Sequence, residues 1–279
     1  MDIYIVIPAR YSSSRLPGKP LREIKGKKMI ERVADIASYV CKYNDSCYYT
    51  VATDHDDISD FCQQSNIPVT KTPEDCKSGT ERCLSAINGL DTQPELIINL
   101  QGDNPLCPPH VIQSLINEWR NYEADVYTPC VRLSWEEYNR MRIDKQTTPH
   151  SGTTILVNKL GYALAFSKQI LPAIRDVDKA KSLFSQSPVR RHVGLYAYTI
   201  RALKQYISLT SLYELSCIEG LEQMRFLENG LSIKAVEVDY RGRRTTSGVD
   251  SEEDIRRVEA IIDEFGEFDY SSAQLISTL

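Results

Sequence analysis

The sequence predicts an α/β fold: a doubly wound, mostly parallel sheet with a smaller β-rich insertion. Through the first half of the chain, short apolar runs alternate with segments of helical periodicity. The apolar runs show little polar alternation, which is typical of strands covered by helices on both faces. Between residues 125 and 200 this pattern gives way to strand-like runs, and it returns afterwards.

The elements of the first half follow in regular order. We predict strands at residues 2–7, 47–52 and 96–100. We predict helices at residues 29–40, 57–64, 78–90 and 108–122, the last with prolines at its start.

The second half is less regular. In the insertion, residues 125–200, we predict strands without regular helices between them, at 125–133, 153–158, 162–166 and 193–200. The α/β pattern then resumes with a helix over 212–230 that ends at Gly230, a strand from residue 232 and a helix from Ser251.

Composition restricts the partners and the compartment. The 279 residues include 33 basic and 38 acidic side chains, a net charge of −5, which gives no support to nucleic-acid or membrane binding. The eight cysteines form no CxxC pair, and the N-terminal run is too short for a signal peptide. Because no apolar stretch approaches the roughly 20 residues of a membrane helix, we predict a cytoplasmic protein with reduced thiols.

A basic loop follows the first predicted strand. The sequence from Ile5 to Pro20 reads IVIPARYSSSRLPGKP and carries Arg10, Arg15 and Lys19. Ligands of doubly wound sheets bind beyond the carboxyl ends of the strands, so three cations here favour a polyphosphate site. The loop matches neither GxxxxGK[ST] nor GxGxxG. The alternative is a solvated surface loop.

Seven blocks give the sequence a family resemblance. They are PARYSSSRLPGKPL (8–21), VATDHDDI (51–58), SGTER (78–82), NLQGDNP (99–105), HVGLYAY (192–198), LEQMRFLENG (221–230) and GVDSEED (248–254). In this order they resemble the sugar nucleotidyltransferases, specifically the 3-deoxy-manno-octulosonate (Kdo) cytidylyltransferases. Residues 127–168 carry the resemblance least.

The resemblance implies a fold and an activity. The fold would be one nucleotidyltransferase domain with a Rossmann-like sheet over residues 1–279, whose insertion at 125–200 serves sugar binding and dimerisation. The activity would be Mg²⁺-dependent transfer of CMP from CTP to the anomeric hydroxyl of a 3-deoxy-2-ulosonic acid, with release of pyrophosphate. The product would serve bacterial lipopolysaccharide or capsule synthesis, and the protein would be a homodimer.

The resemblance also implies roles at the nucleotide end. Asp103 and Asp250 would hold Mg²⁺, a cation that prefers carboxylate, phosphate and water oxygens. The catalytic set would be Arg10, Lys19, Asp103 and Asp250. The nucleotide-binding set would be Pro8, Ala9, Arg10, Ser13, Arg15, Lys19, Ser78 and Arg82. Structural alternatives are a turn for Asp103, a capping box for Ser78 with Glu81, and an N-cap at Asp250.

The implied acceptor site is where the sequence departs from the family. Its residues would be Gln101, Lys168, His192, Tyr196, Glu222 and Gln223. Family members carry arginine where this chain has Lys168, and a lysine lacks the fork that grips a carboxylate at two points. Residues 128–159 also differ. The acceptor could therefore be Kdo or a relative such as 8-amino-Kdo.

Two other functions remain open from the sequence. One is a nucleotidyltransferase that uses another base or sugar. The other is a non-catalytic nucleotide-sugar binding protein, although the combination of Arg10, Lys19, Asp103 and Asp250 argues for catalysis, because a pure binder has little use for a two-aspartate metal pair.

Overall fold

The structure is a computed structural model that describes residues 2–12, 15–210, 215–244, 248–271 and 273–277. It divides into two compact units. The first comprises Met1–Asn117, Leu195–Ile207 and Tyr240–Leu279, and the second comprises Glu118–Gly194 and Ser208–Asp239.

Strands and helices succeed one another along the whole chain. In chain order the strands are β1 (Ile3–Ala9), β2 (Glu23–Ile24), β3 (Lys27–Lys28), β4 (Cys47–Thr53), β5 (Val69–Lys71), β6 (Leu96–Asn99), β7 (Val126–Arg132), β8 (Thr154–Val157), β9 (Ala163–Ser167), β10 (Arg190–His192), β11 (Tyr196–Thr199) and β12 (Ile233–Glu237). The α-helices are α1 (Met29–Lys42), α2 (Asp56–Gln64), α3 (Gly79–Ile87), α4 (Pro109–Asn121), α5 (Trp135–Thr147), α6 (Val177–Leu183), α7 (Ile200–Tyr206), α8 (Leu215–Ile218), α9 (Met224–Glu228) and α10 (Glu252–Phe265). Short 3₁₀ helices span Lys19–Leu21 and Ala273–Ile276.

The first unit contains one group of parallel strands. Their order is β5-β4-β1-β6-β11, in which β5, β4, β1 and β6 run parallel and β11 is antiparallel to β6. Ile5, Val6 and Ile7 on β1 are fully buried, and because successive side chains point to opposite faces, this central strand is covered on both faces. The predicted α/β fold with a mostly parallel sheet is confirmed. A separate antiparallel pair, β2-β3, turns through Lys25 and Gly26, both with positive φ.

Helix α10 anchors the basic loop. Its apolar face, Ile255, Val258, Ile261 and Ile262, packs in one buried cluster that includes Leu16 of that loop. Burying a leucine side chain of this kind contributes roughly 1.5–3 kcal/mol. The cationic residues on either side of Leu16 are therefore carried on a loop whose middle is fixed in the core.

The second unit contains an antiparallel sheet with two helices that were not predicted. The strand order is β7-β10-β8-β9, and β12 pairs in parallel with β7. The expectation of strands without regular helices between them is wrong, because α5 and α6 lie in this segment. Helix α5 is polar on most of its surface and buries Tyr138, so hydrophobic periodicity gave no signal. Its signal was the capping box of Ser134 and Glu137.

The predicted helix 212–230 is also wrong as a single element. Residues 212–214 lie outside the described residues. The rest forms two short helices, α8 and α9, interrupted at Gly220, whose φ of +64° is a left-handed conformation. The predicted end at Gly230 is confirmed, since α9 stops at Glu228 and Gly230 has a φ of +75°.

Within the described ranges, no helix has the length and apolar character needed to cross a membrane.

The capping box of α5 gives a first prediction. Ser134 Oγ accepts from the N–H of Glu137 at 3.1 Å, and Glu137 Oε2 accepts from the N–H of Ser134 at 2.8 Å. Ser134→Ala removes the serine half, so we expect the free energy of unfolding to fall by about 1 kcal/mol. Urea denaturation followed by circular dichroism measures this change. Ser185→Ala, at an exposed serine, is the control. An equal effect of the two substitutions would contradict the capping role.

Candidate functional site

The basic loop leaves the carboxyl end of β1, and a backbone hydrogen bond joins its two ends. The N–H of Gly18 donates to Tyr11 O at 3.1 Å, and Gly18 takes a φ of +64°. The ring of Tyr11 stacks on His55, which caps α2, with ring centroids 3.8 Å apart. These contacts place Lys19 at the start of a 3₁₀ helix. Tyr11 and His55 were not predicted to take part.

Lys19 lies between two carboxylates. Its Nζ donates to Asp103 Oδ2 at 2.8 Å and to Asp250 Oδ1 at 3.0 Å. Burial by itself would lower the pKa of Lys19, but the charges and hydrogen bonds of both aspartates outweigh burial, and the pKa is raised. Lys19 therefore remains an ammonium ion at neutral pH. The three predicted residues, far apart in sequence, are brought to one point.

Two glycines determine the position of Asp103. A Cβ atom on Gly102 would lie 2.8 Å from the carbonyl oxygen of Pro8, so the loop after β6 can pass this close to β1 only without a side chain. A Cβ atom on Gly248 would lie 2.9 Å from Asp103 Oδ1. The backbone N–H of Val249 also donates to Asp103 O at 2.9 Å. The backbone of Asp103 therefore forms the turn that was the structural alternative, and its carboxylate binds Lys19.

Asp250 is not the cap of α10. The N-cap is Ser251, whose Oγ accepts from the N–H of Asp254 at 3.3 Å. The backbone N–H of Asp250 donates to Asp254 Oδ2 at 2.9 Å, which leaves the Asp250 side chain outside the cap. That carboxylate pairs with Lys19 and, at 3.0 Å, with Arg15 Nη2. The capping alternative for Asp250 is therefore wrong.

Arg10 lies at the same edge of the sheet. It follows Pro8 and Ala9 at the end of β1. Its Nη2 is buried and has no hydrogen-bond partner among the described residues. A buried guanidinium nitrogen without an acceptor is costly unless a ligand supplies one. Ser13, the remaining predicted loop residue, lies outside the described residues.

Helix α3 begins beside this edge. Ser78 is its N-cap and accepts from the N–H of Glu81 at 3.1 Å. The expected capping box is only half formed, because Glu81 Oε2 accepts from the N–H of Lys77 at 2.8 Å instead. A Cβ atom on Gly79 would lie 3.5 Å from the Pro8 ring, so the first turn of α3 lies against the end of β1. The helix N-terminus is a favourable place for polar ligand atoms.

Arg82 has a different environment from the other predicted nucleotide residues. Its side chain is fully buried, with Nη1 donating to Thr72 Oγ1 at 2.6 Å and Nη2 donating to Asp54 Oδ2 at 2.9 Å. These bonds join α3 to the segments that follow β4 and β5. Arg82 Nε is buried and has no hydrogen-bond partner among the described residues, so the nucleotide role of Arg82 stays a prediction beside this structural one.

Asn99 is a residue that sequence reasoning missed. It is the last residue of β6, is 1% exposed, and its Oδ1 has no hydrogen-bond partner among the described residues. A Cβ atom on Gly79 would lie 3.6 Å from its Nδ2. The available signal was an asparagine that ends an otherwise apolar strand, LIIN.

The predicted acceptor residues are divided between the two units. In the first unit, Gln101 is half-buried and its carbonyl accepts from the N–H of Asn104. Tyr196 is buried, with its ring 5.9 Å from that of Tyr198. In the second unit, Glu222 is exposed and Gln223, at the start of α9, is buried.

Lys168 and His192 lie together in the second unit. Lys168 Nζ donates to Thr153 Oγ1 at 3.2 Å, and His192 Nε2 lies 2.9 Å from Thr128 Oγ1. Burial, followed by the positive charge of Lys168, lowers the pKa of His192 to about 3. His192 is therefore a neutral hydrogen-bonding group at neutral pH and not a cation.

Fold and site together define a class: an α/β protein with a basic loop and an ammonium–dicarboxylate centre at the carboxyl edge of parallel strands. The chain matches the cytidylyltransferase family over residues 4–234. It is 42% identical to a 3-deoxy-manno-octulosonate cytidylyltransferase of Maricaulis maris (strain MCS10), over 96% of this chain and 99% of that relative.

Solved structures agree. A CMP:2-keto-3-deoxy-manno-octonic acid synthetase complexed with CTP has a TM-score of 0.79 at 31% identity and covers 95% of this chain and 99% of its own. The 4-diphosphocytidyl-2C-methyl-D-erythritol synthase of Anaerococcus prevotii shares the fold, with a TM-score of 0.58 at 15% identity over 94% of this chain and 98% of its own. The chain belongs to the cytidylyltransferase family, and within it to the 3-deoxy-manno-octulosonate cytidylyltransferases.

The lowered pKa of His192 gives a second prediction. In the unfolded chain a histidine takes up a proton near pH 6.5, whereas the folded protein resists this down to about pH 3. Below pH 6.5 the unfolded chain gains a proton on His192 that the folded protein does not bind. The free energy of unfolding is therefore unaffected by His192 above pH 6.5 and decreases as the pH falls from 6.5 towards 3. Between pH 7 and pH 5 the wild type should lose about 2 kcal/mol that His192→Gln does not lose.

Urea denaturation at the two pH values measures this difference. His150→Asn, at an exposed histidine, should keep the wild-type pH dependence. If His192→Gln also keeps it, His192 is not held neutral by the fold.

Proposed function

We propose that this chain transfers CMP from CTP to the anomeric hydroxyl of Kdo or a closely related 3-deoxy-2-ulosonic acid and releases pyrophosphate. The observation that carries this proposal is the convergence of Asp103 and Asp250 on the ammonium of Lys19, at the end of β1 where the basic loop begins. The nucleotide and the sugar acid are those of the related cytidylyltransferase and of the solved synthetase complexed with CTP.

The first unit has the groups that CTP requires. Arg10, Arg15 and Lys19 are three cationic side chains on one loop, suited to the charge of a triphosphate. The described residues supply no hydrogen-bond partner for the buried Nη2 of Arg10 or the buried Oδ1 of Asn99. A nucleotide offers an acceptor for the first and a donor for the second. The N-terminus of α3 at Ser78 adds a further polar contact point.

The two aspartates fit a Mg²⁺ site. Their carboxylate oxygens lie within 3.0 Å of one nitrogen, so both face the same small region. Among the described residues no group of three or more His, Cys, Asp or Glu side chains could hold a metal by itself. Mg²⁺ typically binds one or two carboxylates and completes its octahedron with phosphate oxygens and water. The donor set therefore suits a Mg²⁺ ion that arrives with the nucleotide.

In the reaction, the residues of the chain neutralise and orient the phosphates. When bound, Mg²⁺ would stabilise negative charge on the phosphate during displacement. Lys19 would move its ammonium from the aspartates towards the phosphates, where it offsets charge on the leaving pyrophosphate. Arg10 and Arg15 would hold the triphosphate in line for attack by the sugar hydroxyl. No covalent intermediate with the protein is needed.

The second unit offers the acceptor a carboxylate partner and neutral hydrogen-bonding groups. Lys168 provides an ammonium, and His192 and Thr128 provide neutral polar groups beside it. A sugar acid carries one carboxylate and many hydroxyls, which matches one cation among neutral donors and acceptors. We therefore favour an ulosonic acid over a neutral sugar.

The cellular setting is also a proposal. We infer a cytoplasmic enzyme, because none of the eight cysteines forms a disulfide. We infer a homodimer, because seven of the ten exposed large hydrophobic side chains among the described residues lie in the second unit. They are Tyr122, Ile143, Leu160, Leu164, Leu183, Phe184 and Ile218. The product would supply lipopolysaccharide or capsule synthesis.

A pyrophosphate-release assay tests the function. We expect turnover with CTP and Mg²⁺, and not with ATP, GTP or UTP, when Kdo or 8-amino-Kdo is the acceptor. Turnover with another nucleotide or only with a neutral sugar would favour the other nucleotidyltransferases. Binding of CTP without turnover on any acceptor would favour the non-catalytic alternative.

Asp103→Asn and Asp250→Asn should each lower kcat by roughly 100-fold or more and weaken the apparent affinity for Mg²⁺, since each removes one of the two carboxylates. Titration of Mg²⁺ at saturating CTP and Kdo measures both effects. Asp60→Asn, at an exposed aspartate of α2, is the control and should leave turnover unchanged. Wild-type Mg²⁺ dependence in either variant would remove that aspartate from the metal site.

Lys19→Ala should lower kcat/KM for CTP by roughly 10- to 150-fold, the equivalent of the 1.5–3 kcal/mol of a charge-assisted hydrogen bond. The KM for the sugar acid should change little, because the ammonium acts on phosphate charge. Steady-state kinetics with each substrate varied in turn separates the two effects, with Lys204→Ala on the exposed side of α7 as the control. An unchanged kcat/KM for CTP would exclude a phosphate role.

A further inference from the structure

Lys145 holds an unusual set of partners in the last turn of α5. Its half-buried ammonium donates to the carbonyl oxygens of Ser151 and Lys168 at 2.6 Å each. It also approaches those of Gly152 at 3.3 Å and Pro149 at 3.5 Å. No sequence motif singled out this lysine, although it lies in the segment 128–159 that departs from the family.

These carbonyl groups flank the open end of the β8–β9 hairpin. Ser151 and Gly152 precede β8, and Lys168 follows β9 directly. The first residue of β8, Thr154, pairs with the last residue of β9, Ser167. The ammonium of Lys145 therefore joins the chain entering the hairpin to the chain leaving it.

The backbone of Lys168 is fixed from both sides. Its N–H donates to Glu219 Oε2 at 2.5 Å, and its carbonyl accepts from Lys145. Its side chain then reaches Thr153 Oγ1 at 3.2 Å, and the carbonyl of Thr153 accepts from the N–H of His192 at 2.8 Å. The backbone contacts thus fix the point from which the Lys168 side chain extends, and the contact with Thr153 Oγ1 holds its ammonium.

The charges around Lys168 favour the binding of an anion by its ammonium group. Among the described residues, no carboxylate forms a salt bridge with its ammonium. Glu219, the nearby acid, accepts instead from Ser167 Oγ and the Lys168 N–H. Burial and then the charge of Lys168 lower the pKa of Lys145, with Glu219 opposing this effect. The positive charges of Lys145 and Lys168 act on each other, and a negative ligand group would relieve their repulsion.

We propose that Lys145 is a positioning residue for the acceptor: it fixes the backbone of Lys168 so that the Lys168 ammonium meets the carboxylate of the ulosonic acid. This inference rests on the proposed function and deepens it. Lys145 does not contact the substrate in this scheme. Its loss would free the Lys168 carbonyl and let the ammonium shift, and a displacement of about 1 Å can cost roughly 100-fold in rate.

Steady-state kinetics of three variants gives the first test. Lys145→Met removes the ammonium at similar length, Lys145→Arg keeps a cation, and Lys159→Met removes an exposed lysine from the turn of the same hairpin. We expect Lys145→Met to raise the KM for Kdo by about tenfold or more and to leave the KM for CTP within about twofold. Lys145→Arg should recover most of the loss, and Lys159→Met should behave as the wild type. If Lys145→Met lowers the melting temperature and leaves both KM values unchanged, Lys145 only stabilises the hairpin, and the proposal is overturned.

A double-mutant cycle gives the second test. Binding of Kdo alone is measured by isothermal titration calorimetry for the wild type, Lys145→Met, Lys168→Met and the double variant. If Lys145 acts through Lys168, Lys145→Met weakens the binding of Kdo in the wild-type protein. In a protein that already carries Lys168→Met, adding Lys145→Met then has no further effect on the Kd for Kdo. Additive losses would mean that Lys145 acts independently, which contradicts the proposal.

The two proposals fail in different ways. If the proposed function is wrong, the wild type releases no pyrophosphate from CTP with any ulosonic acid. If only the positioning role is wrong, wild-type turnover is intact and Lys145→Met has the same KM for Kdo as Lys159→Met.

Discussion

The site depends on one interaction: the ammonium of Lys19 held between the carboxylates of Asp103 and Asp250. Without a cation between them, two carboxylates this close would repel each other, and the segments after β6 and before α10 would lose their common point. The lysine therefore keeps the centre assembled before substrate arrives. When CTP and Mg²⁺ bind, the same three charges can exchange partners, because phosphate oxygens attract the ammonium and Mg²⁺ attracts the carboxylates.

The rest of the first unit serves this geometry. Leu16 is buried against α10, so the loop that carries Lys19 is fixed from below. Gly102 permits an approach to the Pro8 backbone that any side chain would block, and a Cβ atom on Gly248 would force the Asp103 carboxylate to move. The second unit uses a comparable device with other residues, since Lys145 and Glu219 hold the peptide groups of Lys168. In both units a lysine side chain is directed by contacts made elsewhere in the fold.

Much of the fold could be predicted because its signals are local. The parallel strands of the first unit are apolar runs with turn residues around them, and their helices have clear apolar faces. The errors have physical causes as well. Helix α5 is too polar for its periodicity to show, and its remaining signal was the Ser134–Glu137 box. Gly220 interrupts the predicted helix 212–230 because it takes a left-handed conformation that the residue pattern did not reveal.

For the site, the sequence by itself determined which chemical groups are present: three cations after the first strand and two aspartates in QGD and GVD. The seven blocks also indicated the family. These are properties of residue types and order along the chain. Only the tertiary structure decided which of two possible roles each residue takes, because contacts between segments far apart in sequence decide it. Asp250 pairs with Lys19 while Ser251 caps the helix. Arg82 is buried against Asp54 and Thr72, and His192 is held neutral by burial. Lys145 carried no signal in the sequence, because the carbonyl groups it binds come together only when the β8–β9 hairpin forms.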